Sequence, residues 1–260
     1  MNCITEALTL SLLTGIFVGF SAGYLGSLMV LERMSLVGDA LSHVALPGLA
    51  LGYLYNFPPF LGAFAFLFTS AVIIWHLERV TKLSFETIVG AMFTLALAIG
   101  ILMIPDVDLL EALFGNITTV TGIDTAVAVT ASVIAVLLTR MIYKNLVLSM
   151  ISEELATSKG VNVSRVNLLY LVLVSLVVAV GIKIVGSLLA GFLVVVPAAA
   201  AKNISGNLFK YAMVSAFFGI VSNCSGILVS SYFSLPTGPL VVISGFIVFL
   251  ATAFVKWKKK

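Results

Sequence analysis

Charge is scarce in this sequence. Its 260 residues include only 14 Lys and Arg and 11 Asp and Glu, so 10% of the chain is charged and 61% is hydrophobic. A soluble domain has about 25% charged and about 45–50% apolar residues. So few charges exclude a soluble globular protein, a disordered chain and a nucleic-acid-binding protein with a broad basic face. The net charge of +3 is too small to identify a partner by itself.

Cysteine and the common catalytic motifs are also lacking. Cys3 and Cys224 are too few and too far apart for a disulfide framework or a Cys-x-x-Cys metal motif. There is no Gly-x-x-x-x-Gly-Lys-Ser/Thr phosphate loop, no His-Glu-x-x-His zinc motif and no Gly-x-Ser-x-Gly elbow. We therefore predict that the protein is not an enzyme, has no tightly bound cofactor, and leaves any ATP hydrolysis to another chain.

Long apolar runs dominate instead, and the mean hydropathy is +1.20. About 20 apolar residues in a helix cross about 30 Å of hydrocarbon. The runs predict an all-α, polytopic transmembrane bundle of eight or nine helices, near residues 7–31, 36–55, 58–77, 87–104, 124–142, 166–185, 186–201, 211–232 and 239–255. The segments 36–55 and 186–201 are short and contain Gly and Pro, which leaves the count open. The loops are brief, so we predict a single transmembrane domain over residues 1–260.

The basic residues predict an orientation. With the first residue outside and nine alternating spans, thirteen of the fourteen Lys and Arg, all except Lys183, fall on or near the inner side. Cytoplasmic loops carry such an excess of basic residues. The loop 105–123 holds Asp106, Asp108 and Glu111 and no basic residue, as an outer loop can. Eight spans would move one terminus across the membrane, an alternative that holds if 186–201 is re-entrant or broken.

Small residues recur every four positions at Gly15, Gly19 and Gly23, and again at Gly48 and Gly52. Such stripes let helix backbones approach closely in lipid. We expect close packing within one bundle, with a dimer face as the alternative. Asn223 interrupts a later apolar span, where a hydrogen bond between helices is the ordinary role of such a side chain.

The most informative polar residues are Asp39 and His43. They are four residues apart, so on a helix they stand one above the other on the same face. Ionisable side chains at membrane depth are costly and point to function. A carboxylate oxygen and an imidazole nitrogen together suit Zn²⁺, Mn²⁺ or Fe²⁺. Pro47, one turn later, can kink the helix and free a backbone carbonyl near both side chains.

Two other roles remain open for this pair. An Asp–His hydrogen bond can simply join two helices, and the two groups can also relay protons. Two side chains do not complete a coordination shell, because such metals take four to six donors. The remaining donors would come from other helices, water or backbone.

A hydrophilic segment near 144–167 lies between two spans on the inner side. Within it, Ser152 can cap a short helix, Glu153 and Glu154 suit its first turn, and Gly160 can end it in a left-handed conformation. Such a helix could receive force from a partner protein. An ordinary amphipathic connector would show the same pattern.

Several stretches together resemble a known family. They are LERMSLVGDALSH at 31–43, PGLALG at 47–52, TKLSFETIVG at 81–90, LFGNI at 113–117, the segment 186–199 and LPTGP at 235–239. In this order they are similar to the permease subunit of the metal-ion ABC transporters of bacteria and archaea, the zinc, manganese and iron uptake group. The resemblance covers nearly the whole chain, and the first stretch is the most specific.

The resemblance implies a permease homodimer in the plasma membrane, two ATPase subunits inside and an extracytoplasmic metal-binding protein. It implies that Asp39 and His43 are ligands for a divalent metal ion in transit. Glu154, Ala156 and Gly160 resemble the Glu-Ala-Ala-x-x-x-Gly loop through which ABC importers contact their ATPases. Leu155 departs from that pattern, which has Ala there.

The expected function is therefore import of Zn²⁺, Mn²⁺ or Fe²⁺ by alternating access, driven by separate ATPases. A secondary, ion-coupled metal or cation transporter is the alternative; such proteins often contain internal repeats with paired broken helices. The two short segments fit that pattern weakly, and no clear repeat is found in the sequence. An intramembrane metalloenzyme would need more ligands and a catalytic base. The residues alone do not distinguish the three metals.

Overall fold

The computed structural model describes residues 2–81, 83–103, 112–115 and 120–258, with side chains from residue 7 onward. In this part of the chain the structure is all-α, as predicted, and contains no strand. The helices are α1 (Asn2–Leu31), α2 (Ser35–Val44), α3 (Leu46–Leu54), α4 (Pro59–Thr81), α5 (Phe85–Met103), α6 (Gly122–Ile151), α7 (Glu153–Ser158), α8 (Val163–Val185), α9 (Ala190–Lys202), α10 (Leu208–Phe233) and α11 (Thr237–Lys258). Outside the described residues lie Lys82, Asp106, Asp108, Glu111, residues 116–117, Lys259 and Lys260.

Eight stretches of the described chain are long and apolar enough to cross a membrane. They are α1, the pair α2–α3, α4, α5, α6, α8, α10 and α11. The ninth expected span is the short helix α9. Its 13 residues extend only about 20 Å, less than the hydrocarbon thickness of about 30 Å. The choice between eight and nine therefore depends on α9, which contains Pro197.

The bundle has two chemically distinct ends. α6 starts where α8 ends, since Lys183 and Asp124 are 4.0 Å apart there. α1 runs parallel to α6, because Thr14 and Thr125 hydroxyls are 3.1 Å apart and those of Ser21 and Ser132 are 3.2 Å apart. Both helices therefore finish at the opposite end, which we call the basic end. It holds the helix-terminal or loop residues Arg33, Arg79, Lys159, Lys202 and Lys258, and Lys144 lies about two turns before the end of α6.

The short helix α9 runs from one end toward the other. Just before it, Ser187 and Leu188 donate backbone N–H groups to the carbonyls of Ala112 and Leu113, at the end that holds Lys183. Just after it, Asn203 Nδ2 donates to Thr252 Oγ1, 3.3 Å away, near the end of α11. Because α9 is packed between α1 and α10, its short length is shielded from lipid.

Glycines bring α1 and α10 into backbone contact, which confirms the expected close packing. A Cβ on Gly19 would lie 2.5 Å from the Gly219 carbonyl oxygen. The same Cβ would lie 2.6 Å from Nδ2 of Asn223, which is fully buried in α10. Neither side-chain polar atom of Asn223 has a hydrogen-bond partner within the described structure. The prediction of a hydrogen bond between helices is therefore wrong for Asn223. Its side-chain amide packs against Gly19, which has no side chain to donate or accept a hydrogen bond.

Candidate functional site

Asp39 and His43 lie on α2, a helix that begins after a tight turn from α1. Arg33 adopts a left-handed conformation with φ of 62°, and Met34 N–H donates to the Met29 carbonyl at 3.0 Å. This arrangement ends α1 and reverses the chain within three residues. The four-residue spacing then puts both side chains on one face of α2, where Asp39 is exposed and His43 is half-buried.

The helix breaks immediately after His43, as Pro47 led us to expect. α2 ends at Val44 and α3 begins at Leu46, with Ala45 between them. A helical residue 47 would donate to the His43 carbonyl, but proline has no N–H. The helical backbone hydrogen bonds resume at Leu49, whose N–H donates to the Ala45 carbonyl at 3.0 Å. The His43 carbonyl, which loses its donor at residue 47, accepts instead from the Ala45 backbone N–H.

The backbone of Asp39 is covered by the beginning of α9. A Cβ on Gly191 would lie 2.7 Å from the Asp39 backbone nitrogen and 2.8 Å from the Gly38 carbonyl oxygen. The hydroxyl of Ser42 donates to the Asp39 carbonyl at 2.7 Å. The two short segments noted in the sequence, 36–55 and 186–201, thus meet at Asp39.

The imidazole of His43 is oriented by an aromatic neighbour on α5. Its ring centroid is 5.2 Å from that of Phe93, and the ring planes are 68° apart. Nδ1 is buried without a hydrogen-bond partner among the described groups. Sequence reasoning missed Phe93, since one phenylalanine in an apolar span carries no signal of such a contact.

The donors that the described residues supply are few. No group of three or more His, Cys, Asp and Glu side chains is gathered in the described part of the chain. Asp39 and His43 therefore provide one carboxylate and one imidazole, which is an incomplete shell for a transition metal. The arrangement can hold an ion only with further donors from water, backbone or another chain.

The inner segment forms the short helix α7 with the caps that the sequence predicts. Ser152 Oγ accepts a hydrogen bond from Leu155 N–H at 3.2 Å. Gly160 has φ of 77°, and Val161 N–H donates to the Ala156 carbonyl at 3.0 Å, closing the helix. Ala156 is fully buried and anchors α7, whereas Glu154 and Gly160 are exposed.

Leu155, where the sequence departs from the Glu-Ala-Ala pattern, is 47% exposed. Together, Glu154, Leu155 and Gly160 present a mixed polar and apolar surface at the basic end. The structure does not bring this surface to Asp39 and His43; α6 and α8 flank α7 in sequence and extend from it into the bundle.

Glu32 is a polar group at the basic end that the sequence did not single out. Burial raises the pKa of its carboxyl to about 7, and the nearby carboxylate of Glu78 adds to the rise. The ion pair formed within the described residues is Lys183–Asp124, so Glu32 has no basic partner within 4.0 Å there. Glu32 directly precedes the left-handed Arg33, in the turn that leads to α2.

Comparison with known proteins gives consistent matches. The family model for the ABC 3 transport family matches residues 4–256. The manganese transport system membrane protein MntC of Listeria monocytogenes is 31% identical, over 92% of this chain and 87% of that protein. The high-affinity zinc uptake system membrane protein ZnuB of Buchnera aphidicola is 34% identical, over 92% of this chain and 94% of that protein.

A solved structure agrees with these matches. PsaBC from Streptococcus pneumoniae, in complex with Fab, contains a chain that superposes with a TM-score of 0.83 and 31% identity. The match covers 93% of this chain and 89% of that one.

Proposed function

The chain belongs to the ABC 3 transport family, and we propose that it is the permease subunit through which an importer moves a divalent transition-metal ion across the plasma membrane. The observation that carries this proposal is the pair Asp39 and His43 on a helix that breaks inside the bundle. The two groups are one helical turn apart on the same face, so they can contact one ion together. One transmembrane permease domain over 1–260, with the basic end inside, is part of the same proposal.

Asp39 and His43 act as transient ligands. The exposed carboxylate and the imidazole above it form a two-donor site. Incomplete coordination suits transit, because an ion that is held too tightly cannot leave. A second permease copy in a homodimer would bring a second such pair to complete the shell.

The transported ion is Mn²⁺ or Zn²⁺, with Fe²⁺ as a third candidate. Relatives that match nearly the whole chain are named for manganese transport and for zinc uptake. Carboxylate oxygen and imidazole nitrogen accept all three ions, so affinity alone does not choose among them. The ion is cargo, and no tightly bound cofactor is proposed.

The helix α7 couples ATP hydrolysis in the partner subunits to movement of the permease. Of the three residues expected to couple to the ATPase, Glu154 and Gly160 are exposed, and ATPase subunits on the cytoplasmic side contact α7 through them. ATP binding and hydrolysis in those subunits drive alternating access. The capped, exposed helix supports this role, because a rigid element transmits movement better than a mobile loop. Buried Ala156 fixes α7 to the bundle while Glu154 faces outward. An extracytoplasmic binding protein delivers the metal at the opposite end.

The test is reconstitution of the permease with its ATPase and binding protein in proteoliposomes, measuring uptake of Mn²⁺, Zn²⁺ and Fe²⁺ in competition. We expect uptake to require ATP, and to be lost in Asp39→Ala and His43→Ala while the complex with the ATPase persists. Leu36→Ala, at an exposed position three residues before Asp39, is the matched control and should transport normally.

Two results would count against the proposal. Normal uptake in both the Asp39 and His43 variants would reject the ligand assignment. Uptake driven by an ion gradient without ATP would identify a secondary transporter instead.

A further inference from the structure

The indole of Trp75, near the end of α4, is hydrogen-bonded to another helix. Its Nε1–H donates to Ser164 in the first turn of α8, 2.7 Å from the hydroxyl oxygen and 3.0 Å from the carbonyl oxygen. The guanidinium of Arg79, one turn further along α4, lies over the face of the same ring, 5.0 Å from its centroid. The ring is therefore held both at its edge and on its face, and its one polar donor is engaged.

This use of the N–H separates Trp75 from an ordinary interfacial tryptophan. Tryptophans at the ends of spans commonly anchor a helix at the membrane surface, with the polar edge toward water or headgroups. The second tryptophan of the chain, Trp257, fits that role, since it is 71% exposed in the last turn of α11. Trp75 is half-buried, and its polar edge faces a helix rather than water.

Ser164 follows closely after the end of α7, and the connection between them is constrained. Val161 N–H donates to the Ala156 carbonyl at 3.0 Å. The side chain of Asn162 accepts from Arg165 N–H at 3.1 Å and so caps the start of α8. Because hydrogen bonds hold both sides of this connection, a displacement of α7 reaches the first turn of α8.

From Trp75, the helix α4 leads to the span that carries the predicted metal ligands. α4 has 23 residues and is about 35 Å long, and its only proline is its first residue. It packs mainly against α8 and α3. Near its other end, a Cβ on Gly62 would lie 2.9 Å from the Gly48 carbonyl carbon, so the backbones of α4 and α3 touch. α3 continues directly from α2, the helix of Asp39 and His43.

A hydrogen bond is well suited to transmit movement at this point. Such a bond weakens steeply as its distance and angle are lost. In lipid, where neighbouring helices have no hydrophobic force between them, interhelical hydrogen bonds and close packing hold them together. The end of α4 therefore follows the start of α8, at the basic end where α7 lies.

We propose that Trp75 is a positioning residue for transport, whose hydrogen bond to Ser164 passes movement of α7 to α4 and so to the span α2–α3. This role rests on the proposed function, because it requires ATPase subunits that move α7. The movement reaches the first turn of α8, and α4 follows as one rigid helix. The contact between Gly62 and Gly48 then carries the movement to α3, next to the predicted metal ligands.

Transport by variants of the two tryptophans tests this role. The full permease is reconstituted in proteoliposomes with its ATPase and binding protein, and imported Mn²⁺ or Zn²⁺ is measured together with hydrolysed ATP. Trp75→Phe keeps an aromatic ring and removes the N–H, and Trp257→Phe is the matched control at an exposed site. We expect both variants to hydrolyse ATP at the unmodified rate. The number of ions imported per ATP should fall about threefold or more in Trp75→Phe, as for the loss of one hydrogen bond between helices, and stay unchanged in Trp257→Phe.

The same number of ions per ATP in Trp75→Phe and the unmodified permease overturns the proposal, and so does an equal fall in Trp257→Phe. Failure of the unmodified permease to import metal with ATP is a different result, because it rejects the proposed function and this role with it.

A second measurement removes the N–H without changing the shape of the side chain. The Trp257→Phe chain keeps a single tryptophan, Trp75, so an analogue supplied during expression replaces that residue alone. In benzothienylalanine a sulfur atom takes the place of the N–H, whereas fluorotryptophan keeps the N–H. We expect the number of ions imported per ATP to fall with the sulfur analogue and to remain normal with fluorotryptophan. Equal numbers with the two analogues overturn the proposal, even where Trp75→Phe does not assemble.

Discussion

The ring of Phe93 stands edge-on to the imidazole of His43, with centroids 5.2 Å apart and planes 68° apart. This contact joins the broken span α2–α3 to α5. It also fixes the direction in which the two imidazole nitrogens point, and Nδ1 is already buried. The aromatic partner is therefore a positioning residue for the predicted ligand.

Phe93→Ala is expected to lower metal uptake about 2- to 10-fold, because an aromatic pair of this geometry contributes about 0.5–1.5 kcal/mol. Phe93→Tyr keeps the ring and should transport normally. The measurement is the concentration dependence of ATP-driven uptake. A rise in apparent KM with unchanged maximal rate is the expected form; equal behaviour of the Ala and Tyr variants would contradict a positioning role.

Gly191→Ala is expected to disrupt the site through backbone contact. The added methyl group would meet the backbone of Asp39, and neither backbone can move away cheaply. Overpacking of this kind costs about 1–3 kcal/mol. The thermal unfolding midpoint of the purified protein should fall. The control is Gly90→Ala, where a Cβ meets no heavy atom within 4 Å and the helix gains about 0.5–1 kcal/mol. Similar midpoints for the two variants would refute the close contact.

Gly160→Ala is expected to weaken coupling to the ATPase. An alanine at φ of 77° costs about 1–2 kcal/mol, so the end of α7 would change its path. Gly160→Asn should be milder, because asparagine tolerates the left-handed region. The readout is the number of metal ions imported per ATP hydrolysed in proteoliposomes. If alanine and asparagine reduce this ratio equally, the left-handed turn is not what matters.

Glu32 predicts a pH dependence of stability. Its pKa is about 7 in the folded protein and 4.5 without burial, so the folded state keeps a proton that the unfolded state loses. Its contribution to stability is fully present below pH 4.5 and is lost as pH rises through about 7, by at most about 3 kcal/mol.

Glu32→Gln tests this dependence, because glutamine resembles the protonated acid and does not titrate. Thermal unfolding is measured between pH 5.5 and 8. The midpoint of the unmodified protein should fall relative to that of the variant as pH rises. Parallel curves over this range would show that Glu32 does not titrate there.

Much of the fold could be predicted because lipid imposes simple rules. Apolar runs located the spans, and the Ser152 and Gly160 signals placed both ends of α7, since caps depend on local sequence. The four-residue spacing of Asp39 and His43 fixed their common face. Pro47 indicated the helix break because a missing N–H has a local effect.

Contacts between distant residues could not be predicted in the same way. Gly191 covers Asp39 although about 150 residues separate them, and nothing in either local sequence announces the pairing. Phe93 is one of 18 phenylalanines, and only the packing of α5 distinguishes it. The hydrogen bond expected of Asn223 failed for the same reason: its neighbours are set by how α1 and α10 cross.

The close contact between α2 and α9 also sets an order of events during synthesis. The span Ser35–Leu54 is the least apolar of the eight candidate spans and carries Asp39, so it enters the bilayer at the highest cost. Only the three-residue turn 32–34 separates it from α1, so we expect the two to enter together as a hairpin. Gly191 emerges about 150 residues later, roughly 8–30 s at about 5–20 residues per second. During that time the face of α2 around Asp39 is not yet covered by α9.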